Sequence, residues 1–137
     1  MFLKKNNKNM EKEYDDWNKL KKSLSTKKSN VFFHEREIWF CSLGKNIGYE
    51  EDGKNELFER PILIIRKFNN SIFLAIPLTS SKKNNNYYHQ YEFSGKTYAG
   101  ILSQIRLLDS RRLSRKIGMI KENDFGTIIK KIHNILP

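Results

Sequence analysis

Two apolar runs, Ile62 to Phe68 and Ile72 to Leu78, flank Asn69-Asn70 and organise the rest of the chain. They are rich in Ile, Leu and Phe, and asparagine tolerates the positive φ of a tight turn, so the pattern predicts a β-hairpin. Pro61 lacks an N–H and suits the first position of a strand, while Pro77 marks an edge or a bulge. The turn joins the far ends of the two strands. Arg60 and Thr79 therefore sit together at the open end, where a rigid hairpin holds a guanidinium beside a hydroxyl.

Before this hairpin, Met1 to Asn9 carries too little apolar surface to offset the entropy of ordering it. Met10, Tyr14, Trp17, Lys21 and Leu24 then recur at intervals of three and four, which predicts an amphipathic helix with one polar member in its stripe. Glu11, Glu13, Asp15 and Asp16 precede Lys19, Lys21, Lys22, Lys27 and Lys28, an order that complements the helix dipole. The need to bury Trp17 favours packing on the body of the protein over capping a dimer edge or covering a groove. Ser25 to Asn30 reads as a linker. Residues 1–34 are thus a tail and helix, and 35–137 one small domain.

Within that domain Glu37 to Leu43 is the first strand. Lys45 to Glu59 is a long polar loop to which Gly44, Gly48 and Gly53 lend mobility. After the hairpin come a polar loop, Ser80 to Asn86, and two strand runs, Tyr87 to Phe93 and Tyr98 to Leu108. Gly100 marks a bulge or a close backbone approach. Ser103, Gln104 and Arg106 are polar positions in the second run that require partners or an exposed functional surface. Lys116 to Ile120 is a closing strand. Phe125, Ile128, Ile129, Ile132, Ile135 and Leu136 define an amphipathic C-terminal helix.

Charge narrows the function. There are 26 basic against 15 acidic side chains, a net +11, and such a field attracts nucleic acid or an acidic protein. Tyr87, Tyr88, His89 and Tyr91 beside Lys82 and Lys83 suit single-stranded RNA, whose bases stack on rings while lysines meet phosphates. Cys41, the single cysteine, lies in an apolar strand and excludes an internal disulfide. No apolar stretch is long enough to cross a bilayer and the N-terminus has no signal-like apolar core, so a cytoplasmic location is expected. No cluster of carboxylates or histidines has metal-ligand spacing, so neither metal nor other cofactor is expected.

Three segments, in order, resemble the MazF/PemK family of toxins from toxin–antitoxin pairs, which are metal-independent endoribonucleases. They are Glu37-Ile-Trp-Phe with Gly48-Tyr-Glu50, Arg60-Pro-Ile-Leu-Ile-Ile leading to Pro77-Leu-Thr-Ser, and Ser103-Gln-Ile-Arg-Leu-Leu-Asp109 followed by Arg112-Leu113. The likeness spans residues 35–136. It implies a mainly β fold with helices (α+β), a small SH3-like barrel of the MazF/CcdB type with an N-terminal helical extension and a C-terminal helix. It also implies a homodimer and a cognate antitoxin partner. By this likeness Arg60 stabilises charge on the scissile phosphate, Thr79 donates to it, and Glu50 is the base or orients Arg60. Glu51 or Glu56 can take the role of Glu50, because nine residues separate Glu50 from Arg60. Ser80, Lys82, Lys83, Tyr87, Tyr88, Gln104 and Arg106 are the candidate RNA-binding residues. Some relatives carry a histidine where this chain has Tyr49, and an arginine and aspartate where it has Ile101 and Ser103, so their acid–base pair does not transfer. The alternative function is a non-catalytic toxin or RNA-binding module of the same barrel, including a gyrase inhibitor of the CcdB type.

Overall fold

The computed structural model describes residues 7–28, 31–81 and 85–137. The first six residues of the expected tail, Ser29 and Asn30 of the expected linker, and Lys82, Lys83 and Asn84 lie outside the described residues. A helix stands at each end of a β domain: α1 (Asn7–Thr26), then β1 (Glu37–Ser42), β2 (Glu59–Lys67), β3 (Ile72–Thr79), β4 (Tyr88–Phe93), β5 (Lys96–Ile101), β6 (Arg106–Asp109), β7 (Leu113–Met119) and α2 (Glu122–Ile135). Seven antiparallel strands form one sheet in the order β4-β5-β3-β2-β1-β7, with β6 also on β3. The sheet curls into a half-barrel. Its outer strands β4 and β7 meet where Phe93 lies on Gly118, so closely that a Cβ there would stand 2.5 Å from the ring.

The hairpin strands are apolar at Ile62 to Ile65 and Phe73 to Leu78 because both faces are covered there. Ile62 and Ile64 of β2 join Trp39, Cys41, Phe73 and Leu108 in one core, while Leu63 and Ile65 join Ile38, Ile76 and Ile128 of α2 in the other. Cys41 is fully buried, and burial pushes its thiol up to about 12, which leaves it unreactive. The turn differs from expectation. Neither Asn69 nor Asn70 has positive φ. Instead the Asn69 Oδ1 accepts the N–H groups of Ser71 (2.8 Å) and Ile72 (2.9 Å), so a side chain replaces the strained backbone. Pro61 is the third residue of β2 rather than its first.

Pro77 stands where β3 changes partners. On one edge β3 pairs with β6 from Ile72 to Ala75 and with β5 at Leu78 and Thr79, leaving Ile76 and Pro77 between the two ladders. A missing N–H costs nothing there. The expected single strand from Tyr98 to Leu108 is accordingly two, β5 and β6, and the register along β3 slips by the three residues of a 3₁₀ turn, Leu102–Gln104. Gly100 is the close approach: a Cβ there would lie 2.8 Å from the Ile76 Cδ1.

In α1 the inward face is shifted by one place, with Leu20 half-buried and Lys21 exposed. Trp17 is buried, its ring 5.7 Å from that of Phe58. In α2, Ile128 is fully buried, and Phe125, Ile129, Ile132 and Ile135 pack around the same core. Leu136 lies beyond the helix and is exposed.

Two predictions concern stability. Ile128→Ala removes the one α2 side chain with no exposure and is expected to cost about 2–5 kcal/mol. Urea denaturation should show a lower midpoint with an unchanged slope. Glu37 is buried in β1; burial alone would raise its carboxyl, but Lys116, the Trp39 indole and the His34 N–H outweigh this and hold it below the usual carboxylate range. A depressed folded-state value gives stability above the unfolded value of about 4.3, lost as pH falls through the folded value. Glu37→Gln should therefore flatten the loss of stability that the parent protein shows on acidification below about pH 5.

Candidate active site

Arg60 enters β2 directly after the β1–β2 loop, opposite Cys41 of β1, and Thr79 is the last residue of β3. Both line a cavity of about 480 Å³ between the two ends of the curled sheet. Ser80, Tyr91, Phe93 and Tyr98 share it. The Tyr91 and Tyr98 rings are stacked 5.9 Å apart, and burial pushes the Tyr91 phenol above its ordinary value, so it stays neutral. The pocket thus presents a cation and hydroxyls at one end and aromatic faces at the other.

The guanidinium is fixed from three directions. Its Nε donates to the Asp52 carbonyl (2.7 Å), its Nη1 to the Leu78 carbonyl (3.2 Å), and its Nη2 pairs with the Glu51 Oε2 (2.8 Å). These bonds use three of five N–H donors and leave two, in a fixed plane, for an anion. The Thr79 Oγ1 accepts from the Ser81 N–H (3.2 Å), and its hydroxyl proton is uncommitted among the described residues.

Glu51, one of the two alternatives to Glu50, is thus the carboxylate at Arg60. The Glu50 Oε1 accepts from the Ile47 N–H (3.0 Å) within its own turn. Glu56 is exposed. The loop is less free than its glycines suggest. The Asp52 carboxylate accepts from the Asn46 N–H and pairs with Lys45. Gly53 packs on the Phe58 carbonyl so tightly that a Cβ would lie 1.5 Å from it. Gln104, read from sequence as an RNA contact, is a clamp: its Oε1 accepts from the Glu51 N–H (2.8 Å) and its Nε2 donates to the Tyr49 carbonyl (3.0 Å).

The other candidates are spread over the surface. Arg106 lies with Ser103, Gln104 and Glu50 along a shallower hollow of about 540 Å³. Tyr87 is exposed beside Lys131 and Asn134 of α2, and the Tyr88 carbonyl accepts from Lys131 Nζ (3.3 Å). Neither tyrosine lines the Arg60 cavity. His89 is turned away too, its Nε2 lying 3.1 Å from the Asp124 Oδ1 of α2. Lys82 and Lys83 lie outside the described residues. Sequence reading missed Phe93, Tyr98 and Glu59 as lining residues. The signal for the aromatics was the cross-strand pair Tyr91↔Tyr98, visible only once the β4–β5 hairpin is registered. Glu59 is buried, with one oxygen unbonded and the other 3.8 Å from Arg115. Among the described residues no three His, Cys, Asp or Glu side chains gather as a metal site, and no helix is long and apolar enough to cross a membrane.

The fold is a curled antiparallel half-barrel with an anchored arginine at its open end. Residues 34–136 match the family described as PemK-like, MazF-like toxins of type II toxin–antitoxin systems, and the chain belongs to that family. Among solved structures it is similar to MazF from Deinococcus radiodurans, at 17% identity and a TM-score of 0.61, covering 78% of this chain and 98% of that one. An endoribonuclease in complex with its cognate antitoxin from a mycobacterial species matches at 16% identity and a TM-score of 0.60, over 77% and 98% of the two chains. A MazE–MazF complex from D. radiodurans matches at 16% and 0.53, over 79% and 97%. No curated protein sequence matches the chain. The family match leaves α1 outside it.

Gln104→Leu keeps the size of the side chain and removes both clamp bonds. At about 0.5–1.5 kcal/mol for each hydrogen bond, it is expected to cost about 1–2 kcal/mol, read by thermal or urea unfolding.

Proposed function

We propose that the chain is a sequence-specific endoribonuclease that cuts single-stranded mRNA in the cytoplasm without metal or other cofactor, acts as a homodimer and is held inactive by a cognate antitoxin. The observation that carries this reading is the guanidinium of Arg60, held in one plane by Asp52, Glu51 and Leu78 beside the Thr79 hydroxyl at an aromatic-lined cavity.

RNA carries its own nucleophile. Attack of the 2′-oxygen on the adjacent phosphorus forms a cyclic phosphate and expels the 5′-oxygen, and the protein must accept one proton, stabilise the phosphorane and supply one proton. Arg60 stabilises the phosphorane with its two remaining donors, and Thr79 donates to the same oxygens. Glu51 takes the part first considered for Glu50: it orients Arg60 and is the candidate base beside it. The adjacent bases stack on Tyr91, Phe93 and Tyr98.

Charge distribution supports the direction of the strand. The cleft on the other side of Arg60, toward α1, is lined by Glu13, Asp16, Glu50, Glu51, Asp52 and Glu56 against Lys12, Lys45 and Lys54, and this excess of carboxylate disfavours phosphates. The Thr79 and Ser80 side carries one carboxylate, the buried Glu59, together with Lys54. Ser80 remains a candidate contact for the RNA backbone. The basic surface that meets RNA also suits an acidic antitoxin segment that folds on binding.

The test is cleavage of a long, mostly single-stranded RNA in excess EDTA, with the ends mapped. Discrete cuts with 5′-OH ends are expected, and Arg60→Ala should slow them about 10²–10³-fold, as loss of one preorganised donor does elsewhere. Binding without cutting across several RNAs would replace this reading with a non-catalytic RNA-binding one.

A further inference from the structure

Besides Arg60 itself, two places outside the β1–β2 loop hold it, the 3₁₀ turn that carries Gln104 and α1. From α1, the Tyr14 hydroxyl donates to the Asn46 carbonyl (3.1 Å). Lys45 stands between the Glu13 Oε2 (3.1 Å) and the Asp52 Oδ2 (3.3 Å). Asp52 in turn presents its carbonyl to the Arg60 Nε at 2.7 Å. One unbroken path of polar contacts therefore runs from the helix to the guanidinium.

The packing is fitted to the same end. Gly44 has φ +87°, and a Cβ there would stand 2.1 Å from the Trp17 ring, so the loop begins on a residue that must lack a side chain to admit that indole. The other face of the fit is Phe58, whose carbonyl accepts the N–H groups of Leu43 (2.9 Å) and Gly44 (3.2 Å) and closes the base of the loop. Burial alone would lower Lys45, yet Glu13 and Asp52 outweigh it and keep its ammonium above the ordinary value, so the bridge stays charged. The alternative, that α1 lends its lysines to an RNA track, fits poorly with the carboxylate-rich cleft between the helix and the loop.

We propose that α1 is a built-in positioning element for the active site: docked through Trp17 and bridged through Glu13–Lys45–Asp52, it holds the β1–β2 loop so that Asp52 and Glu51 fix the guanidinium of Arg60. The kinetic consequence rests on the reading of Arg60 as the phosphate-binding group. The positional consequence does not. In this chain a segment outside the family match thus completes the geometry of the Arg60 site, with Trp17 and Glu13 of α1 and Lys45 of the loop as positioning residues.

The experiment compares full-length protein with Trp17→Ala, Glu13→Gln and the conservative Trp17→Phe. In nuclear magnetic resonance, solvent exchange of the Arg60 Nε–H and of the loop amides from Asn46 to Gly53 is expected to quicken about tenfold or more in Trp17→Ala, and by less in Glu13→Gln. The β2 and β3 amides should keep their protection, and Trp17→Phe should restore most of the effect. With RNA, kcat should fall while KM changes little, because what is lost is orientation in the transition state. Unchanged exchange at Arg60 and the loop would overturn the proposal. So would a rise in KM alone, which would make α1 an RNA contact, and so would equal loss of protection in the strands, which would make it a general stabiliser. If the parent protein cuts no RNA but the exchange pattern holds, the positioning role stands and the nuclease reading falls.

Discussion

The fold depends on β3 serving two partners along one edge. No single flat strand could follow that edge, because the sheet must bend there to close. Pro77 removes the donor that would be orphaned at the bend, and Gly100 lets β5 approach Ile76. The three residues that fall out of register have nowhere to pair, and they form the 3₁₀ turn. That turn aims Gln104 at the loop across the sheet, where it grips the backbone of Tyr49 and Glu51. A defect in pairing at one end of the barrel thereby becomes a restraint on the carboxylate beside Arg60.

The site then balances two needs of an arginine. A guanidinium free to swing binds phosphate weakly, since each ordered side chain loses rotamer entropy, of order 2 kcal/mol for arginine. One fully saturated by protein has nothing left to donate. Arg60 sits between these limits, with its plane set by two carbonyls and a carboxylate and two donors over. The cost is local negative charge from Glu51 and Asp52 in a protein of net +11. In the proposed reading, long-range attraction brings a polyanion to the surface, and the short-range carboxylates bias the side of Arg60 on which it runs.

What could be read from sequence, and what could not, follows the range of the interactions involved. The β2–β3 hairpin, α2 and the pairing of Arg60 with Thr79 at one rim were legible because apolar runs and helical spacing are local signals. The turn at Asn69 was placed correctly but given the wrong mechanism, since a side-chain acceptor and a positive φ draw on the same residue type. The break between β5 and β6 was missed because Ser103, Gln104 and Arg106 can also be polar positions within one strand; only the register of β3 reveals the slip. Glu50, Glu51 and Glu56 could not be ranked for a related reason. The loop has no period, and its shape is set by Asp52, Gln104 and Trp17, residues far apart in sequence. The tyrosines misled by composition: clustering put Tyr87 and Tyr88 with Tyr91, yet only Tyr91 lines the cavity, because the start of β4 runs toward α2.

Trp17 shows why an added element need not be an appendage. Its burial is what the sequence demanded, and any apolar patch on the barrel could have met that demand. The patch it occupies is the root of the loop that holds Arg60, on a glycine whose φ and emptiness both suit the indole. Burying a tryptophan on a neutral face of the barrel would contribute the same hydrophobic free energy and leave the loop as mobile as its glycines allow. Placed here, the same burial also removes loop conformations that would turn Asp52 and Glu51 away from the guanidinium. The stabilisation is spent on the site's geometry, and the packing of α1 and the setting of the Arg60 guanidinium are coupled through the backbone of residues 44–53.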